Sequence, residues 1–236
     1  MEASISENDL DLYTSNMAGI PILARTGSDD TNVPPIHTRK LVRLVKEWGD
    51  GKTDNIHLVE DQGKGHWYDG VLNDSIAQKF LNDNLDPQSN PNLDLPSIPN
   101  PFTISTMNPA STGPKCGISI LQPIVPYRIS TIHVHREGDH WTLTTKNVRR
   151  FGFVRDERQT GIRSWSIDHT TFRTPPEDSG PSYLNKGNGT WELSSDLLWI
   201  SRERNPTTYG PAFQIFSHAF KIVVPSSPSA NLTLYR

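Results

Sequence analysis

Two spacings of apolar residues divide the chain: helical and strand-like runs in alternation up to about residue 82, and short β-like runs beyond about residue 110. Ile20 to Ala24, closed by Arg25, predicts a buried strand of a parallel sheet. Leu41, Leu44, Val45 and Trp48 fall at i, i+3, i+4 and i+7 and predict a helix over Pro35–Trp48. Pro34 and Pro35 suit its start and Gly49 its stop. Ile56 to Val59 predicts a second strand, and Leu72, Ile76 and Phe80 a last helix ending near Asn82. Strand, helix, strand, helix with short connections is expected to be part of an α/β sheet, not a whole one.

From Asp83 to Pro109 the periodicity fades into Asn, Pro, Asp and Ser, with six prolines, and reads as a linker or extended crossing strap. Beyond it, Gly117–Leu121, Ser130–His135, Trp141–Thr145 and Val148–Phe153 alternate apolar and polar positions between turn-forming residues. Their spacing predicts an antiparallel, sandwich-like region. Tyr209 to Ala219 reads as a helix and Phe220 to Val224 as a buried strand. No internal repeat is evident.

The formal net charge of -3 offers no basic field for nucleic acid or an anionic membrane. Mean hydropathy is -0.55, and no apolar run reaches the roughly 18 residues of a membrane span. The opening MEASISENDLDLY has neither the basic nor the apolar region of a signal peptide. The chain as written is thus expected to be soluble, with the location of its parent unknown. Cys116 stands alone, so no intrachain disulfide forms. Sequons occur at Asn73, Asn188 and Asn231; they read as chance triplets unless the parent is secreted.

Chemistry concentrates after the two predicted strands of the first region. Gly27-Ser-Asp-Asp-Thr-Asn-Val-Pro-Pro follows one, and Glu60-Asp-Gln-Gly-Lys-Gly-His-Trp follows the other. Open α/β sheets gather functional groups at the carboxyl ends of their strands. A carboxylate at one strand end and a histidine at its neighbour is the pair that serine hydrolysis needs: the carboxylate fixes the imidazole tautomer, and the other ring nitrogen takes the nucleophile's proton.

These stretches, within Asn16 to Asn82, closely resemble the end of the catalytic domain of the prolyl oligopeptidase family of serine peptidases. The resemblance implies the C-terminal part of an α/β-hydrolase sheet, with Asp30 as the triad aspartate and His66 as the triad base. Asp29 competes for the carboxylate role, and Gly27 with Val33-Pro34 sets the register in favour of Asp30. The family pattern is incomplete. No G-x-S-x-G occurs in the chain, so the nucleophile and its oxyanion hole are expected on an upstream hydrolase segment. The expected organisation is a partial α/β-hydrolase domain over 1–82, a linker over 83–109, a β-rich region over 110–200 and an incomplete segment over 201–236. The residues after 110 faintly resemble the region C-terminal to the hydrolase domain in large multidomain relatives.

The implied function is hydrolysis of a peptide or ester substrate by the parent protein, without cofactor or metal. The alternative is a binding or structural module that keeps a decayed hydrolase half. An exposed aromatic patch on the β region, with Asp30 and His66 apart, would mark that alternative. Trp67 reads as packing for the histidine loop. His133 and His135 share a strand face with His140 in the next turn; three histidines suit zinc, but alternating polar residues more simply mark a solvated face. His37 and His57 read as surface residues. Arg149-Arg150-Phe151 suggests nucleic-acid stacking against an unfavourable acidic balance, and Arg202-Glu-Arg a solvated charge cluster.

The missing nucleophile motif gives a direct expectation. The purified chain neither turns over peptides or esters nor reacts with a fluorophosphonate probe. Labelling of any serine that His66→Ala abolishes would place a nucleophile inside the chain.

Overall fold

The computed structural model describes residues 7–49, 55–85, 99–153, 162–173 and 183–209. Its first unit holds the helical stripes. A single 3-10 turn (Leu10–Tyr13) runs into α1 (Thr14–Met17), then β1 (Ile22–Gly27), α2 (Pro35–Trp48), β2 (Ile56–Asp61) and α3 (Ser75–Leu85). The α2 limits match the sequence reading, with Pro34 as N-cap and Gly49 as C-cap. Its buried face centres on Val42 and Val45, packed with Ala24 and Ile56, while Trp48 is exposed. Leu41 and Val45 of the expected stripe lie on this face, Val42 joins them, and Trp48 falls outside it. On the α3 side Leu72 and Ile76 are exposed and Ala77 is buried.

The remaining strands are β3 (Phe102–Thr106), β4 (Ile118–Pro123), β5 (Ser130–Glu137), β6 (His140–Lys146), β7 (Val148–Phe153), β8 (Ser164–Ile167), β9 (Thr170–Arg173), β10 (Tyr183–Gly187) and β11 (Thr190–Ser194). A short helix, α4 (Trp199–Arg202), follows them. One sheet runs β11-β10-β7-β4 and the other β3-β5-β6-β8-β9. The second is mixed rather than purely antiparallel, because β6 and β8 pair in parallel. Every second residue of β5 and β6 turns inward, so Ile132, Val134, Trp141 and Leu143 face Ile118, Val148, Phe151 and Trp191 of the other sheet in one apolar core.

The chain changes sheets between β6 and β7 at Asn147, which adopts a left-handed φ of 58°. Asparagine tolerates that region better than bulkier residues. Its side-chain amide donates to the Val125 and Arg128 carbonyls at 3.0 and 3.1 Å, and its Oδ1 accepts from the Val125 amide at 2.8 Å. Asp168, in the β8–β9 turn, joins both sheets. Its carboxylate accepts from Thr145 N and Oγ1, Lys186 Nζ and Trp191 Nε1 at 2.6 to 3.0 Å. Burial alone would push this carboxyl up; the donors from Lys186, Thr145 and Trp191 outweigh it and bring it down to about 2.

The expected class, an α/β fold made from the C-terminal part of an α/β-hydrolase sheet, is overturned. Among the described residues strand exceeds helix, 38% against 22%, in three sheets, and the parallel sheet of the first unit has two strands. The physical reason is where apolar surface is buried: the large cluster lies between the two β-sheets, and the one around β1, β2 and α2 is small. The segment read as a linker, 83–109, contributes β3, all five residues of which are buried. Phe102-Thr-Ile-Ser alternates apolar and polar positions, but its polar residues are buried too, Thr103 against His133 and Ser105 against the first unit. Asn16 Oδ1 accepts from the Ser105 amide at 2.8 Å, Asn16 Nδ2 donates to the Ser105 carbonyl at 2.7 Å, and the Ser15 and Ser105 hydroxyls bond at 2.8 Å. Strands β8 to β11 also went unrecognised in the sequence, because each holds four or five residues. The helix expected over Tyr209–Ala219 lies outside the described residues apart from Tyr209, and the strand expected over Phe220–Val224 lies wholly outside them.

Replacing Asp168 leaves four inward donors without their acceptor. Asp168→Ala is expected to lower unfolding stability by about 3 kcal/mol in urea titrations, the scale for breaking a buried ion pair. Because the folded carboxyl lies below its ordinary value of 3.8, its contribution is present above pH 4 and is lost as pH falls towards 2. The wild-type midpoint should therefore drop across that window more steeply than that of Asp168→Asn.

Candidate functional site

Parallel pairing of β1 with β2 sets Gly27 opposite Asp61, so the two loops beyond them leave the sheet side by side. They are laced together at once. Ser28 N donates to Asp61 O at 3.0 Å, Asp29 N to Lys64 O at 2.9 Å, and Gly63 N to Ser28 Oγ at 2.8 Å. At Gly27 a Cβ would stand 2.2 Å from the Lys64 carbonyl oxygen and 2.6 Å from that of Gly65. Only glycine permits this approach. It delivers the histidine loop to the aspartate loop.

Asp30 occupies the turn before α2. Its Oδ1 accepts from the Asn32 and Val33 amides at 2.9 and 2.8 Å, and its Oδ2 lies 2.8 Å from His66 Nδ1. The Asp30 side chain is 8% exposed and that of His66 32%. Burial pushes the Asp30 carboxyl up, but the Val33 amide, His66 and the Asn32 amide more than offset it, and the carboxyl lies below its ordinary value. An ionised carboxylate only accepts, so Nδ1 carries the proton and Nε2 is the basic nitrogen of the neutral ring. Asp29 is exposed and accepts from the Ser28 hydroxyl at 2.8 Å. The structure thus brings together Asp30 and His66 and turns Asp29 away.

Trp67 does not bury itself to hold the loop. It sets its ring edge-on to His66, centroids 4.9 Å apart, and is 88% exposed. The holding is done by Arg25, whose role the sequence reading missed. From β1 its guanidinium takes both carboxylate oxygens of Asp61 at 2.8 to 3.1 Å, the Asp74 carboxylate at 2.8 Å and the Val71 carbonyl at 2.8 Å. Tyr68 donates to Asp61 Oδ2 at 2.6 Å. One cation therefore gathers residues 61, 71 and 74, on either side of His66. The signal was present: a charge inside the apolar run PILARTG must find partners if that run is buried.

The other candidates scatter. His133 Nδ1 lies 2.9 Å from Thr103 Oγ1, His140 Nδ1 2.7 Å from Ser164 Oγ, and His135 Nε2 3.4 Å from Glu137. Among the described residues no group of three or more His, Cys, Asp or Glu is placed to hold a metal ion. His37 and His57 are exposed. Phe151 is in the sandwich core, while Arg149 and Arg150 pair with Glu203. The expected solvated cluster at Arg202-Glu-Arg is instead partly an anchor: Glu203 holds the buried Arg150, and Arg204 lies over the rings of Tyr127 and Tyr209.

No family model matches the chain, and no solved structure matches it. A protein of Arthroderma benhamiae named "Uncharacterized secreted protein" is 27% identical over 191 residues. The match covers 79% of this chain and 20% of that protein, so the chain spans about a fifth of its relative's length. These comparisons add nothing to the prolyl oligopeptidase resemblance. No helix among the described residues is long and apolar enough to cross a membrane.

Gly27→Ala tests how the site is assembled. The added methyl forces the Lys64–Gly65 backbone away, so the hydrogen-bonded Nδ1 proton of His66 should disappear from the downfield proton NMR spectrum. Gly65→Ala, whose Cβ meets nothing within 4 Å, should leave it in place.

Proposed function

We propose that Asp30 and His66 are the carboxylate and base of a serine hydrolase whose nucleophile lies on a part of the parent protein outside this chain. The observation that carries this reading is the 2.8 Å contact between Asp30 Oδ2 and His66 Nδ1, made while two backbone amides hold the other carboxylate oxygen. A carboxylate so fixed sets the imidazole tautomer and stabilises the imidazolium that forms when Nε2 takes a serine proton. His66 then returns that proton to the leaving group, the amine of a peptide or the alcohol of an ester. An acyl-enzyme forms in between and is hydrolysed by water that His66 activates in turn.

A non-catalytic binding module is the weaker reading. Trp141, Trp165 and Trp191 of the β region are buried in its core rather than presented as an exposed aromatic patch. A secreted parent is part of the proposal, supported by the name of the Arthroderma benhamiae relative.

In the parent protein, kcat for peptide or ester substrates should fall by about 10⁶-fold in His66→Ala and by about 10⁴-fold in Asp30→Asn, with KM little changed. Asp29→Asn should leave kcat within a few-fold, on the order of an exposed loop substitution. Equal effects of Asp29→Asn and Asp30→Asn, or activity that survives His66→Ala, would refute the assignment.

A further inference from the structure

The sequon Asn188-Gly-Thr forms the tip of the β10–β11 hairpin. Gly187 pairs with Thr190, leaving Asn188 and Gly189 as a two-residue connection. Both have positive φ, 49° and 85°. That is the type I′ turn, whose twist matches the flanking strands and for which Asn-Gly is the favoured dipeptide. The turn alone thus explains Asn-Gly. It does not call for Thr190, whose side chain is exposed and whose hydroxyl donates to the Gly187 carbonyl at 3.0 Å.

Space around the tip is open. Asn188, Gly189 and Thr190 are all exposed, and a Cβ on Gly189 would meet nothing within 4 Å. The strands beneath the tip are anchored by Lys186 and Trp191 on Asp168, so a bulky group at residue 188 projects away from the packed sheets. Asn73, the other described sequon, is exposed too, but it sits in the Gly70–Asp74 turn beside the Asp74 that binds Arg25. Asn231 lies outside the described residues.

We infer that Asn188 is an N-glycosylation site: its Nδ2 accepts an oligosaccharide from a polyprenyl-pyrophosphate donor. In the transfer Nδ2 loses one proton and forms a bond to the anomeric carbon of the first N-acetylglucosamine. The bond from that carbon to the pyrophosphate oxygen breaks, and polyprenyl pyrophosphate leaves with the electron pair, without redox change. The glycan extends the hairpin tip into solvent and marks that end of the sandwich as free of tight partners. The inference rests on the secreted reading of the parent.

The test expresses the full chain in yeast behind a cleavable secretory leader, beside the same chain kept in the cytosol, and reads residue 188 by peptide mass spectrometry. The expected result is an oligosaccharide on the peptide bearing Asn188 in the secretory-route protein. Peptide N-glycosidase removes it and leaves Asp at 188. Thr190→Ala and Asn188→Asp each lose it, with a melting temperature unchanged for the deglycosylated Thr190→Ala protein. An unmodified Asn188 peptide in the secretory-route protein overturns the inference. Failure of the secreted reading shows separately, as absence of the full-length parent from the medium when it is expressed with its own leader.

Discussion

Everything proposed for the site depends on two parallel strands ending level with each other. Because Gly27 stands opposite Asp61, the backbone of the next few residues is shared between two loops before any side chain takes part. Asp29 N reaches Lys64 O, and Ser28 N reaches Asp61 O. A shift of the pairing by one residue would turn Arg25 out of the Asp61–Asp74 pocket and carry Asp30 away from His66. The buried guanidinium opposes such a slip, since an unpaired charge there is far more costly than a paired one.

The sequence made some of this visible and hid the rest, for reasons that can be assigned. The limits of α2 were legible because Pro35 and Gly49 act locally, the one by fixing a helical φ where no N–H is needed and the other by its low helix propensity, whatever surrounds them. The contact between Asp30 and His66 was legible because their two loops follow neighbouring parallel strands. Arg25 was not read as an organiser, although a charge in an apolar run is itself a signal, because its partners lie 36 to 49 residues further on at Asp61 and Asp74. The fold class failed for a matter of proportion: two strands and two helices read correctly still make a small part of a molecule whose main core lies between β-sheets. β3 failed because its polar residues, Thr103, Ser105 and Thr106, are buried by tertiary contacts that its local pattern does not announce.

The small unit and the sandwich stabilise themselves differently. Around β1 and β2 polar groups do much of the holding: a cation with three partners, laced loops and a capped carboxylate, over the four buried residues Ala24, Val42, Val45 and Ile56. The sandwich relies on apolar packing across two sheets, fastened by the Asp168 donors. Acid should weaken both through their carboxylates, Asp61 being held below its ordinary value chiefly by Arg25 and Asp168 by its four donors. Denaturants that act on apolar surface should tell them apart.

The bond pattern at Ser105 reaches beyond the joining of two units. β3 is an outer strand, and an outer strand normally offers its amides and carbonyls to any passing chain. Here the Asn16 carboxamide fills both backbone positions of Ser105, acting as one residue of a missing neighbour strand. A single side chain thus serves as a guard against templated aggregation. Proteolytic clipping before residue 20 would uncover a fully buried strand, Phe102–Thr106, and leave the sandwich with an adhesive edge. Resistance to aggregation is therefore carried by residues outside the sandwich itself.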